Sequence, residues 1–218
     1  MIKATKTILL TAVSLTVLCG VSEATTLGSI ETNALKSSAI IHVADETGEG
    51  AKQFIAKMGD RGINFLGDSS KSAESKKAEF TKLLDDSFDM KTIGRFVLGT
   101  NWKVATPAQQ QEYQKLFRKM IINVYSKRFS EYNGQKFEVR TARKDGKDTT
   151  VSSFIVPSSG PEVRVDWRVR EKDGKYKVVD IVVEGVSMAM TQRADFASVV
   201  ERGGNNIESL LTHLRQQQ

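Results

Sequence analysis

The sequence predicts an α+β domain in which helices come first, an antiparallel sheet follows and two helices close the chain. Three observations predict it. Apolar residues between Phe54 and Phe129 recur three and four positions apart, the spacing of one helix face. From Phe137 to Val183 the spacing drops to two, the strand period, with Asp145-Gly146 and Asp173-Gly174 as turns between arms. After Ser187 the helical spacing returns and runs to Leu214. Helices segregated in sequence from a run of antiparallel strands make an α+β arrangement.

The helices can be justified one by one. Phe54, Ile55, Met58, Phe65 and Leu66 mark the first, interrupted by Gly59 and Gly62 and ended by Gly67-Asp68-Ser69-Ser70. Phe80, Leu83, Leu84 and Phe88 mark the second. Asp89 can cap a short third helix, with Ile93, Phe96 and Val97 expected on one face and Gly99 as its terminator. The fourth has the clearest start, with Thr106 as N-cap, Pro107 at N1 and Gln109 completing a capping box. Its apolar stripe holds Tyr113, Leu116, Phe117, Met120, Ile121, Val124, Tyr125 and Phe129. It is expected to reach about Tyr132, before Asn133-Gly134.

Four strands are expected, joined as a meander. Phe137 and Val139 begin the first, and Val151 to Val156 form the second. In the third, Val163, Val165, Trp167 and Val169 alternate with Arg164, Asp166, Arg168 and Arg170, so one face is buried and one is wet. The fourth carries Val178, Val179, Ile181, Val182 and Val183 and is apolar on both faces, which places it inside the sheet and under cover. The closing helices lie around 192–200 and from near Asn205, where Glu208 is expected to box the cap; Gly203-Gly204 separates them. The last carries Ile207, Leu210, Leu211 and Leu214.

The N-terminus reads as a cleaved secretory leader, residues 1–24. Lys3 and Lys6 precede an apolar run from Ile8 to Leu18, and Ser22-Glu23-Ala24 places small residues at the cleavage positions. The run is shorter than the ~20 residues a membrane span needs. Leu18 before Cys19 does not suit a lipoprotein signal. Residues 25–46 are a polar arm without periodicity, and 47–218 make up the expected α+β domain. Cleavage would remove Cys19, the one cysteine, so neither thiol chemistry nor a disulfide is available to the folded part. The net charge of +6 is spread along the chain. Behind an export signal, its fitting counterparts are anionic lipid surfaces and acidic proteins, not nucleic acid.

Catalytic signatures are sparse. His42 and His213 have no second ligand at metal spacing. No Gly-rich loop leads into Lys-Ser/Thr, so a nucleotide phosphate cradle is missing. Gly185-Val186-Ser187-Met188-Ala189 half-matches a nucleophile elbow but ends in Ala, and His213 is the one available base; a helix N-cap is the simpler role for Ser187. Asp180 and Glu184 form a carboxylate pair at a strand end. Asp180 interrupts an apolar strand, so a structural anchor to a backbone amide or an Arg is expected over acid–base work. No enzyme, cofactor or metal is expected. The aromatic and Met-rich stripes fit either a filled core or an apolar ligand cavity.

The ordered set Phe88-Asp89, Ile93, Leu98-Gly99, Trp102, Ala105-Thr106-Pro107-Ala108-Gln109, Tyr113, Phe117, Tyr125, Tyr132-Asn133-Gly134 and Asp180 to Met188 resembles the MlaC family, also called the toluene-tolerance family. The likeness spans about Ala51 to Leu214. It implies a periplasmic carrier that holds phospholipid tails in an apolar pocket between sheet and helices. It further implies shuttling between an outer-membrane lipoprotein complex and an inner-membrane ABC transporter complex, which maintains lipid asymmetry. Alternatives are a hopanoid-associated carrier of the same family and a periplasmic interaction module with a filled core. Among the apolar positions, the expected lipid-lining residues are Phe88, Phe96, Val97, Trp102, Tyr113, Phe117, Met120, Val124, Tyr125, Val151, Phe154, Val165, Trp167 and Met188. Each buried CH₂ is worth ~0.8 kcal/mol, so a sixteen-carbon tail is worth ~12 kcal/mol, which a carrier must largely recover.

Overall fold

A computed structural model describes residues 47–217. The leader and arm assigned to residues 1–46, with Cys19 and His42, lie outside the described residues. Those described form seven α-helices and a five-stranded antiparallel sheet. Helix α1 (Glu49–Gly67) starts after Gly48, which adopts φ 76° and brings the chain in against Ala142 and Thr149. Its apolar side, Ala51, Ile55, Met58 and Phe65, is buried. Helix α2 (Ala73–Ser87) is capped by Ser72, whose hydroxyl accepts from the Ser75 amide at 3.2 Å.

Between α2 and α3 (Met90–Leu98) the chain touches the sheet. Phe88 forms a parallel bridge with Val178, and the Asp89 amide donates to the Val178 carbonyl at 3.0 Å. Asp89 then caps α3, accepting from the Thr92 amide at 2.9 Å and the Thr92 hydroxyl at 2.6 Å. Gly99 ends α3 at φ 61°. A single turn, α4 (Asn101–Val104), follows; four residues are too few to show a period in the sequence.

Helix α5 (Pro107–Ser126) opens with the expected reciprocal box. The Gln109 amide donates to the Thr106 hydroxyl at 3.3 Å, and the Thr106 amide donates to the Gln109 side chain at 3.1 Å. The helix stops at Ser126, short of the Tyr132 that periodicity predicted. The chain tightens into a 3₁₀ turn, Phe129–Glu131, which sets Phe129 edge-on against Phe80 at 5.4 Å and Phe65 at 6.0 Å. Aromatic packing between neighbouring helices overrides the continuing apolar stripe.

The sheet runs β1 (Lys136–Asp145), β2 (Asp148–Val156), β3 (Val163–Lys172), β4 (Lys175–Val183) and β5 (Val186–Ser187), each paired with the next. The sequence predicts four strands; β5 is the addition. Glu184 and Gly185 take φ 48° and 81° and reverse the chain, as Asp173 and Gly174 do at 53° and 71°. Two residues then pair back, Val183 with Val186 and Val182 with Ser187. So short a strand has no alternation to read. Register aligns Val151, Trp167 and Ile181 on the covered face and Ser152, Asp166 and Val182 on the other. Across from Arg168 and Val169 of β3 the pairing slips, leaving Val179 of β4 without a facing residue. Val178 and Val179 are consequently both buried, which accounts for the two-faced apolar run.

Helix α6 (Met188–Arg202) is capped by Ser187. Helix α7 (Ile207–Gln216) is capped by Asn206, which accepts from the Glu208 amide at 3.0 Å. The cap lies one residue later than expected. Glu208 therefore does not box it and binds Arg215 at 2.7 Å instead.

Two apolar cores result. One lies under the sheet and holds Ile55, Met58, Phe65, Val151, Val169 and Val178. The other lies among α3, α5, α6 and α7 and holds Val97, Tyr113, Phe117, Phe196, Leu210 and Leu214. In the second, Tyr113 stacks on Phe117 at 5.7 Å, and Phe196 meets both rings edge-on at 6.1 Å. The Tyr113 hydroxyl donates to the Gly94 carbonyl at 3.0 Å, and burial pushes its pKa above the usual phenol range.

Gly59 sets the seat of α1 on β1: a Cβ there would stand 2.1 Å from Cδ1 of Phe137. Overpacking costs about 1–3 kcal/mol, against about 1 kcal/mol gained in helix propensity. Gly59→Ala should therefore lower stability in urea unfolding despite its better propensity.

Candidate functional site

A cavity of about 680 Å³ occupies the seam between the two cores. Its volume falls within the roughly 300–1,000 Å³ range of ligand pockets. One wall comes from α1 and α2, with Met58, Ile63 and Leu66 from the first and Phe80, Leu83 and Leu84 from the second. The covered sheet face adds Phe137, Ile155, Trp167 and Ile181. The far side is Ile93 and Val97 of α3, a stripe of α5, and Met188 and Ala189 at the start of α6. The α5 stripe is Phe117, Ile121 and Tyr125, at i, i+4 and i+8, with Arg128 one turn beyond.

On the α1 wall, Gly62 contributes no side chain to the cavity. A Cβ placed there would meet no atom within 4 Å, in contrast to Gly59 one turn earlier. The lining residues that reach solvent gather at one end. Tyr125, Arg128 and Glu131 stand where α5 runs out, and Lys136 and Ile155 stand on the first two strands; Thr191 alone lies elsewhere. The mouth is therefore between the end of α5 and the start of β1.

Of the residues the sequence pointed to, Phe88, Val97, Phe117, Tyr125, Trp167 and Met188 line the cavity. The others lie elsewhere, for identifiable reasons. Tyr113 and Met120 are buried in the helical core, where α6 and α7 meet α5. Val124 is 45% exposed, turned about 100° from Tyr125 around the helix. Phe96 is 41% exposed and lies beneath Arg193, next to the inward Val97. Trp102 sits on α4 against the helical core with Arg95 over its ring. Val151 and Val165 are on the correct sheet face but packed solid, at 0% and 4% exposure. Phe154 is three residues from Val151, hence on the opposite face, where Arg140 covers its ring at 3.8 Å.

Sequence reasoning missed α1, α2, Ile121 and Ile181 as lining. Ile181 faces Trp167 across the strands, so strand register was the signal that would have found it.

Asp180 borders the cavity and acts as an anchor. Its carboxylate accepts from the Ile181 amide at 2.9 Å, the Ser187 hydroxyl at 2.7 Å and the Ala189 amide at 3.1 Å. The Ser187 oxygen in turn accepts from the Met190 amide at 3.1 Å, as an N-cap does. Ser187 thus donates to Asp180 and caps α6. His213 lies on α7 against Gln217 at 2.8 Å. Glu184 binds the Arg164 amide, so the two carboxylates have separate structural partners. No helix among the described residues is long and apolar enough to cross a membrane.

The family model described as MlaC protein matches residues 58–216. The chain belongs to the MlaC family. Among MlaC relatives, the toluene tolerance protein ttg2D of Pseudomonas putida is 25% identical over 155 residues, covering 67% of this chain and 72% of that protein. The intermembrane phospholipid transport system binding protein MlaC of Haemophilus influenzae is 25% identical over 133 residues, covering 59% and 61%. A phospholipid-binding protein of Ralstonia solanacearum, solved with a phospholipid, superposes with a TM-score of 0.65 at 24% identity, covering 79% of this chain and 96% of that one. That likeness shows that the two chains share a fold.

Asp180 ties the start of α6 to β4 through two hydrogen bonds, from the Ser187 hydroxyl and the Ala189 amide. Removing a partner of buried donors costs about 1–3 kcal/mol. Asp180→Ala should lose stability on that scale, and Asp180→Asn, which keeps one carbonyl acceptor, should lose less; urea midpoints measure both.

Proposed function

We propose that this chain is a lipid carrier that takes acyl chains into the cavity between its two cores and leaves the headgroup at the mouth. The observation that carries the reading is the cavity itself: a space of about 680 Å³, walled by Phe, Ile, Leu and Met side chains and open at one end. Membership of the MlaC family and the phospholipid named in the descriptions of two similar proteins support phospholipid as the cargo.

A tail of sixteen carbons carries ~12 kcal/mol of apolar transfer energy, so it does not leave a membrane for water at a useful rate. A cavity that recovers most of that energy makes the transfer feasible. One that recovers all of it would never unload. In this reading, residues 1–24 are a cleaved leader and the carrier works in the periplasm. It exchanges lipid with an outer-membrane lipoprotein complex and with an inner-membrane ABC transporter complex, which supplies the energy. The chain itself performs no catalysis.

Native mass spectrometry of the gently purified protein, followed by lipid extraction and headgroup identification, tests the cargo. Co-purified phospholipid is the expected result. A polycyclic lipid would redirect the cargo to the hopanoid class, and a protein that neither retains nor takes up lipid would make it an interaction module.

Gly62→Leu tests the place. Its side chain enters open space, and the helix gains about 1 kcal/mol from losing a glycine. Bound lipid should fall while the melting temperature holds or rises. Undiminished lipid in a folded Gly62→Leu protein would move the cargo out of this cavity.

A further inference from the structure

The polar groups on the cavity wall are not evenly spread. At the mouth stand Arg128, Glu131, Gln135 and Lys136. At the other end stand Asp180, Thr191 and Gln192, with no cation, and Asp180 is committed to Ser187 and Ala189. The mouth holds two cations and one carboxylate, so its net charge is positive.

The two cations have no assigned work within the fold. Most of the described arginines that carry an ion pair do so over short distances, as Arg118 does with Asp85 at 2.6 Å and Arg140 with Glu162 at 2.6 Å. The side chains of Arg128 and Lys136 make no hydrogen bond or ion pair among the described residues, and both are exposed. Gln135 is held in place. Its Oε1 accepts from the Asn133 amide at 2.8 Å, and its backbone carbonyl accepts from the Tyr132 hydroxyl at 3.4 Å. The turn from α5 into β1 is thus fixed at the cavity mouth and carries two uncommitted cations beside an apolar interior.

We infer that Arg128 and Lys136 form a phosphate subsite that orients an acyl lipid in the cavity, phosphate at the α5–β1 turn and tails toward α3 and α6. This rests on the carrier reading above. A guanidinium offers paired donors to phosphate oxygens and an ammonium adds a mobile point charge. Both groups are in water, so they bias orientation and cargo without holding the lipid against release.

Two lipids with identical tails isolate the phosphate: dioleoyl phosphatidic acid and dioleoylglycerol, offered together to the delipidated full-length protein and counted by native mass spectrometry. The wild type should favour phosphatidic acid by about tenfold, the scale of one charge-assisted contact. Arg128→Gln combined with Lys136→Gln should bring the ratio to about one, and Arg128→Glu with Lys136→Glu should push it below one by repelling the phosphate. Raising ionic strength to about 1 M, where screening acts within about 3 Å, should shrink the wild-type ratio as well.

Folded variants that keep the wild-type ratio would overturn the subsite and leave the carrier reading intact. Uptake of neither lipid by the wild type would sink the carrier reading itself. Inorganic phosphate is the third arm. If it binds through Arg128 and Lys136 while the lipid ratio ignores them, the site serves free phosphate and the lipid assignment is overturned.

Discussion

Strand β4 holds the two sides of the cavity apart. On one side, the corner between α2 and α3 is fastened to it by the Phe88–Val178 bridge and the Asp89 amide. On the other, the start of α6 is fastened to it by Asp180. The helices therefore cannot slide down and close on the sheet without breaking these hydrogen bonds and leaving their partners unpaired. Apolar surfaces ordinarily merge, because every uncovered square ångström carries a cost. Here polar fastenings keep two apolar surfaces from doing so.

Each core is complete without the other. The helical core closes on the Tyr113, Phe117 and Phe196 rings and on three leucines of α7 that are fully buried. The sheet core closes on Ile55, Val151, Val169 and Val178. Met58 and Phe65 of one core and Val97 and Phe117 of the other each turn one side to the space between them. The wall includes Met58, Met90 and Met188, unbranched side chains that change rotamer easily enough to fit tails of differing shape.

The outer sheet face shows the opposite economy. Ser152 binds Asp166 at 2.6 Å, Arg170 binds Asp148 at 2.7 Å and Arg140 joins Glu138 to Glu162. Pairing lifts the arginine pKa values further and lowers that of Glu162, so these groups stay charged across the ordinary pH range. Arg168 on the same face makes no ion pair among the described residues and stays a free cation.

Local chemistry determined much of this protein directly from sequence. The capping box of α5, the caps at Asp89 and Ser187, the Asp-Gly hairpin and the alternation of β3 depend on neighbours a few residues away, so each was legible as written. The anchor role of Asp180 was legible too, because a carboxylate inside an apolar strand needs donors close by. What only the tertiary structure decided were matters of long-range contact. Phe129 left the helix because Phe65 and Phe80 lay beside it, and β5 exists because β4 was there to pair with. Which apolar side chains fill a core and which face a space was decided the same way: Val151 and Ile181 share one sheet face, yet only Ile181 lines the cavity. Hydrophobic spacing says which side of an element turns inward; how far away the opposite wall stands is set by elements distant in the chain, and spacing carries no record of it.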